Sequence, residues 1–219
     1  MNGLVRPLLA FLVCSTTSAE TIRFDRGTLG TLPPGWTAAM THAGGEPLWQ
    51  ITRDPTAPDP PFVLAQTSHD QTAGRFPLAI WGGASIRDGE VSVAFKTVSG
   101  TVDQAAGIVW RYLDPNNYYI VRANALENNI VLYKVENGVR LSIAPKGMPS
   151  RSYGVKHDIP KAQWNTLRIV FKETQFRVSF NGVQVFETED HTFMNAGKTG
   201  LWTKADSVTY FDNFSVTGK

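Results

Sequence analysis

An antiparallel β-sandwich is the fold class this sequence predicts, and three observations predict it. Apolar and polar residues alternate with a period of two in one short stretch after another. These stretches recur about every 8–12 residues, with turn residues between them. Windows of helical length that are free of Gly, Pro or β-branched clusters are scarce.

Taken in chain order, Asp54–Pro61 (DPTAPDPP) holds four prolines in eight residues and reads as a surface loop within one domain, since proline cannot donate to a central ladder. Glu90–Val98 sets Val91, Val93 and Phe95 against Ser92, Ala94 and Lys96. Gly107–Leu113 reads as a strand ending in the turn Asp114-Pro115-Asn116-Asn117. Tyr118–Ala125 and Ile130–Val135 follow, and Asn137-Gly138 turns the chain back through Val139–Ala144. Leu167–Phe171 precedes the clearest hairpin, Phe176–Phe180 and Val183–Phe186 around Asn181-Gly182, a pair suited to the positive φ angles of a type I′ turn. Gly200–Thr203 and Val208–Val216 close the chain, and the one helical turn expected lies around residues 191–195.

The sequence has 219 residues, of which 1–19 (MNGLVRPLLAFLVCSTTSA) have the order of a secretory leader: Arg6, an apolar run from Leu8 to Val13, then small residues before Glu20. The expectation is a leader at 1–19, one domain at 20–219, and a secreted or periplasmic protein. The apolar run is too short for a membrane span of about 20 residues. A lipid anchor at Cys14 is the alternative, disfavoured by the bulk of Val13 before it. Cys14 is the sole cysteine, so the chain after the leader has no thiol for a disulfide, a metal site or a nucleophile. Charge is 21 Lys+Arg against 19 Asp+Glu, and removing Arg6 leaves 20 against 19. Such balance argues against a nucleic-acid partner, which demands a basic surface.

Trp164-Asn165-Thr166-Leu167-Arg168-Ile169, followed by Phe176–Val183 closing on Asn181-Gly182, resembles the laminin-G-like branch of the concanavalin A-like lectin/glucanase superfamily. Gly107–Tyr112 with Asn117-Tyr118-Tyr119, and the ending Gly200-Leu201-Trp202 with Phe211–Val216, are similar to its secreted bacterial members, nearest the 3-keto-disaccharide hydrolase-like domain. The resemblance covers about residues 90–217 and implies a concanavalin A-like jelly roll with one concave sheet. Related sandwiches often bind a structural calcium between the first and last strands. The resemblance thus implies Asp25, Gly27 and Asp212 as candidate calcium ligands, a set compatible with calcium's demand for oxygen donors.

Several catalytic signatures are missing: the E-x-D-x-x-E strand of the superfamily's glucanases, the Arg-, Q-x-H- and Tyr-rich strands of its alginate lyases, a G-x-S-x-G elbow and an H-x-x-x-H pair. His42, His69, His157 and His191 stand singly. Glu187 and Glu189 share a strand face about 6.6 Å apart, within glycosidase range, or else form a solvated strand end. Trp36, Trp49 and Trp164 read as core or staple aromatics, and Trp81 beside Gly82-Gly83 as a loop anchor or a loop-site lining.

Sugar recognition calls for flat apolar faces and planar hydrogen-bonding groups. Alternation places Tyr118, Arg122 and Asn124 on one face, and Trp202 and Lys204 on another. Arg111 lies on the preceding strand with Trp110 and Tyr112 facing the other way. The ligand floor expected is therefore Arg111, Tyr118, Arg122, Asn124, Trp202 and Lys204. The competing reading is a structural ladder of Arg111, Arg122 and Glu127 with the aromatics as cross-strand packing. The functional expectation is an exported, non-catalytic, lectin-like domain taking an oligo- or polysaccharide on the concave sheet. The alternatives are a glycoside or 3-keto-disaccharide hydrolase using Glu127, Glu187 or Glu189 as acid and base, and a scaffold module without a sugar site.

Overall fold

The computed structural model describes residues 19–218. The leader read at 1–19, with Cys14, lies outside the described residues except for Ala19. Strands follow one another as β1 (Glu20–Ile22), β2 (Trp36–Thr41), β3 (Trp49–Arg53), β4 (Phe62–Gln66), β5 (Phe76–Ile86), β6 (Gly89–Ser99), β7 (Ala105–Asp114), β8 (Asn117–Asn124), β9 (Asn129–Glu136), β10 (Val139–Ile143), β11 (Val155–Lys156), β12 (Asn165–Lys172), β13 (Gln175–Phe180), β14 (Val183–Glu189), β15 (Gly197–Trp202) and β16 (Val208–Gly218). They form two eight-stranded antiparallel sheets. The first runs β14-β13-β12-β6-β16-β4-β3 with β1 on β16, and the second β10-β9-β8-β7-β15-β5-β2 with β11 on β9. No helix among the described residues is long and apolar enough to cross a membrane.

The two Asn-Gly turns form as their chemistry dictates, with φ of 50° and 80° at Asn137-Gly138 and 47° and 81° at Asn181-Gly182. Residues 191–195, where a helical turn was expected, form a bend. There the Asp190 carboxylate accepts the Thr192 N–H at 2.8 Å, a local bond that competes with helix. The proline-rich segment 54–61 lies over the outer face of the first sheet. It is pinned by an Asp54–Lys96 ion pair, by Trp164 Nε1 donating to Thr56 Oγ1 at 3.2 Å and by Asp59 N donating to Asp212 at 2.8 Å. Trp164 is thus a half-buried clamp outside the core, whereas Trp36, Trp49 and Trp81 are buried in it.

Between the sheets, Val91, Val93, Phe95, Leu167, Ile169 and Phe171 pack against Ile108, Trp110, Tyr119, Val121 and Leu132. Trp110 stacks on Tyr119 at 5.3 Å and on Phe171 at 6.0 Å. A second buried cluster lies on the other face of the second sheet, from Phe76, Leu78 and Ile80 through Val109, Tyr118 and Ile120 to Tyr133, Val135 and Trp202.

That second cluster is closed because the sheet rolls up. Four strand spacings separate β8 from β2, about 19 Å if flat, and five separate β10 from β5, about 24 Å. Yet the Tyr118 hydroxyl lies 2.7 Å from Thr41 Oγ1, and the Arg140 guanidinium lies 4.6 Å from the Phe76 ring. His42, just past β2, meets the Gly138 carbonyl of the β9–β10 turn at 2.7 Å. The edges of the sheet nearly meet, and its concave face becomes a second core.

Candidate functional site

The rolled sheet is apolar and sealed at the end holding Tyr118, Phe76 and Thr41, and polar where β8 runs out into the turn at residues 125–128. Arg122, Gly107, Trp202 and Leu78 stand in one cross-strand row between these ends. Gly107 is required there, since a Cβ would come within 2.3 Å of Ile120 Cδ1 and 3.3 Å of the Trp202 ring.

Of the six floor residues expected, Arg122, Asn124 and Lys204 gather at the polar end. Arg122 is only 1% exposed. Its Nη1 donates to Asn129 Oδ1 at 2.9 Å, its Nη2 to Glu127 Oε2 at 2.8 Å and to the Tyr153 hydroxyl at 2.9 Å, and its Nε to the Tyr133 hydroxyl at 3.2 Å. Asn124 donates to Asp103 Oδ1 at 2.6 Å and accepts the Leu126 and Glu127 amides, which shapes the turn carrying Glu127. Lys204 Nζ donates to Asp103 Oδ2 at 2.5 Å. Asp103 is itself positioned by Asp206, whose carboxylate accepts the backbone N–H groups of Thr101, Val102 and Asp103.

The other three are elsewhere. Tyr118 and Trp202 are on the expected face but fully buried in the second core, because the rolling covers them. Arg111 is on the opposite face. Strand β7 carries extra residues after Trp110, and Arg111 has φ 47°. This bulge turns Arg111 to the same side as Trp110 and leaves Tyr112 on the concave side, the reverse of simple alternation for both. Arg111 becomes a fully buried clasp at the rim between the sheets, donating to the carbonyls of Arg87, Phe193 and Glu173 at 3.0, 2.7 and 2.7 Å. The ladder of Arg111, Arg122 and Glu127 is accordingly reduced to the Arg122–Glu127 pair. Glu187 and Glu189 are exposed on β14, an edge of the other sheet, with Glu187 3.6 Å from Lys146.

Sequence reasoning missed Tyr153. It comes from an irregular segment after β10, where strand periodicity is silent. Its one signal is Gly154, with φ 61° and no room for a Cβ, 2.2 Å from the Ile130 carbonyl. That close approach seats the Tyr153 segment on β9.

The electrostatics of the polar end follow from these contacts. Burial pulls the Glu127 carboxyl upward, but hydrogen bonds from Arg122 and Asn129 and the nearby Lys204 charge outweigh it and hold Glu127 below the usual carboxylate range. Both hydrogen bonds go to Oε2. Burial pushes the Tyr133 phenol well up, so it is a donor, and it donates to the Tyr153 hydroxyl at 2.5 Å. The Tyr153 oxygen thereby accepts two hydrogen bonds, and its own proton remains to be given outward. The residue is 48% exposed.

Of the calcium candidates, Asp25 and Asp212 are near enough for their charges to act on each other. Asp212 is fully buried, and its carboxylate accepts the Asp59 and Asn213 amides at 2.8 and 2.7 Å. Burial pushes its carboxyl up, the two amides work against that, and the charges of Asp59 and Asp25 add to it. Asp25 is exposed, and the place of a Gly27 side chain is taken by Ile51. Among the described residues no group of three or more Asp, Glu, His or Cys side chains is placed to hold a metal ion.

Among solved structures, the carbohydrate-binding module CBM66 from Bacillus subtilis is similar at 18% identity and a TM-score of 0.62, over 83% of this chain and 94% of that one. Domain 4 of AbnA, an extracellular GH43 arabinanase from Geobacillus stearothermophilus solved with arabinotriose, is similar at 15% identity and a TM-score of 0.56, over 91% and 93%. A galectin-like protein of unknown function from Bacillus subtilis gives 12% identity and a TM-score of 0.53, over 83% and 88%. At these identities the likeness is one of fold, the galectin-like jelly roll. No curated protein matches the chain. A family model described as the 3-keto-alpha-glucoside-1,2-lyase-like domain matches residues 30–217, and the chain belongs to that family.

Proposed function

We propose that this chain binds a glycan, without cleaving it, at the polar end of the rolled sheet, and that it does so outside the cytoplasm after loss of residues 1–19. The observation that carries the reading is the state of Tyr153 and Glu127. Tyr153, half-exposed, offers a ring and a free phenolic proton, and Glu127 offers Oε1 of an ionised carboxylate. A flat apolar face beside one donor and one charged acceptor is what a pyranose, with its C–H face and vicinal hydroxyls, requires. A carbohydrate-binding module and an arabinanase domain solved with arabinotriose, both of similar fold, support the same reading.

Catalysis by hydrolysis is less well served. Glu127 is held ionised by Arg122 and so is poorly suited to be a general acid, and its partner Glu187 or Glu189 is on another sheet. A second reading, scission of a keto-glycoside, draws on the family description and on the Tyr153–Arg122 contact, which would place a phenol beside a cation where charge develops.

The test is a screen of immobilised polysaccharides followed by titration calorimetry. Tyr153→Ala is expected to weaken binding about 5- to 10-fold and Glu127→Gln about 10-fold, with folding intact in both. Binding unaffected by both variants sinks the assignment. Release of sugar products from a 3-keto-glucoside, lost in the same variants, would move the conclusion to the enzyme.

A further inference from the structure

Four buried or half-buried arginines serve the second sheet and its rim, and three have their guanidinium groups hydrogen-bonded. Arg75 donates to the carbonyls of Gly45, Ala205 and Glu46 at 2.6, 2.8 and 2.8 Å. Arg111 and Arg122 are hydrogen-bonded at all three guanidinium nitrogens. Arg140 differs. Its guanidinium faces only rings, 4.5 Å from Tyr133, 4.6 Å from Phe76 and 5.9 Å from Trp202. Its Nη1 is buried with no hydrogen-bond partner, and none of the ion pairs among the described residues includes it. The Trp202 indole N–H, in the same aromatic box, lies beside the Tyr118 hydroxyl without an aligned hydrogen bond to it.

A cation withdrawn from water is normally paired, and ring faces supply only part of what hydration gave. Around it the other charges are matched: Arg122 by Glu127 and Lys204 by Asp103. Arg140 is a positive charge on the concave side that no carboxylate among the described residues pairs, and it is partly exposed where its neighbours in the box are sealed. We infer that Arg140 is a ligand residue for the carboxylate of an acidic sugar, a uronic acid, bound as part of the glycan that the polar end takes. The planar fork of the guanidinium matches a carboxylate. Tyr133 links the two places, since its ring touches Arg140 and its hydroxyl bonds Arg122 and Tyr153. The inference rests on the glycan-binding reading and deepens it.

The experiment titrates the protein with tetragalacturonate and tetramannuronate, and with the same oligosaccharides after reduction of their carboxylates to primary alcohols, at one fixed low salt concentration. At least one acidic form is expected to bind about 10-fold or more tightly than its reduced counterpart. Arg140→Gln should erase that preference while leaving affinity for the reduced form unchanged, and Arg140→Lys should retain part of it. Arg140 makes no hydrogen bond that folding depends on, and a far-ultraviolet dichroism spectrum and a cooperative thermal transition like those of the parent verify that both variants fold. Equal affinity for the two forms, a preference surviving in Arg140→Gln, tighter binding of a sulfated oligosaccharide than of either uronate, or no binding of any of them overturns the assignment. Tyr153→Ala separates the two proposals. If neutral glycans bind through Tyr153 without any acidic preference, the glycan site stands and the Arg140 role falls. If an acidic preference depends on Arg140 but not on Tyr153, the Arg140 role stands and the Tyr153 site falls.

Discussion

The two sheets have equal strand counts and the same antiparallel pairing, yet they treat their outward faces differently. In the first sheet, β12 reads as an ordinary amphipathic strand, with Leu167, Ile169 and Phe171 buried and Thr166, Arg168, Val170 and Lys172 partly or fully exposed. In the second, every residue of β8 after Asn117 is buried. The difference lies in curvature. A gently twisted sheet leaves one face to water, whereas a sheet whose edges nearly meet buries both. Side-chain chemistry follows. Arg168 on the open face pairs with Glu90 in solvent, and both side chains are more than a third exposed. Arg122 on the rolled face has to satisfy its N–H groups from within, and does so with four partner side chains. What a strand's polar residue can do is thus set by whether its sheet closes.

The largest contrast is expected between those two arginines. Arg122→Ala leaves the buried Asn129 side chain and Tyr133 hydroxyl without their partner and removes a buried side chain, and should cost about 2–3 kcal/mol. Arg168→Ala should cost no more than about 1 kcal/mol. Chemical denaturation of both variants decides this, and equal losses would mean the rolled face is as wet as the open one. For the same reason Arg122→Ala is a poor probe of ligand binding, and Tyr153 and Glu127 serve better.

Next is the apolar contrast. Ile120→Ala, inside the second core, should lose about 2–5 kcal/mol because the closed sheet cannot collapse onto the cavity. Val170→Ala, half-exposed on the first sheet, should lose under about 1 kcal/mol. A small loss at Ile120 would show that the rolled sheet opens readily.

The smallest effect is expected at the Asp212 end of the first sheet. The Asp212 carboxylate already accepts the Asp59 and Asn213 amides, so a millimolar chelator should leave the thermal midpoint unchanged. A fall of several degrees would support a cation held by the expected set, Asp25, Gly27 and Asp212.

Much of the fold was legible in the residues. Strands from Glu90 onward other than β11, both Asn-Gly turns and the proline-rich surface loop all follow from local rules. So does the company of Arg122, Asn124 and Tyr118 on one face of β8, since a period of two fixes relative facing within a regular strand. The site was legible only in part. Simple alternation puts Arg111 on the wrong face because the bulge after Trp110, with Arg111 at φ 47°, inverts it there. Tyr118 and Trp202 were placed on the right face but in the wrong surroundings, because periodicity carries no information about how far a sheet curls. Tyr153 belongs to no strand, and its place depends on contacts between segments distant in sequence.

Local chemistry, then, determined this protein's strands, its turns and the sidedness of most of its residues, because those depend on φ, ψ and near neighbours. Only the tertiary structure decided that the second sheet rolls closed, that its polar end stays open beside Tyr153, and that Arg140 lies against aromatic rings with no counter-charge. Those features arise from edges meeting across several strand spacings, and no property of a single strand encodes that distance.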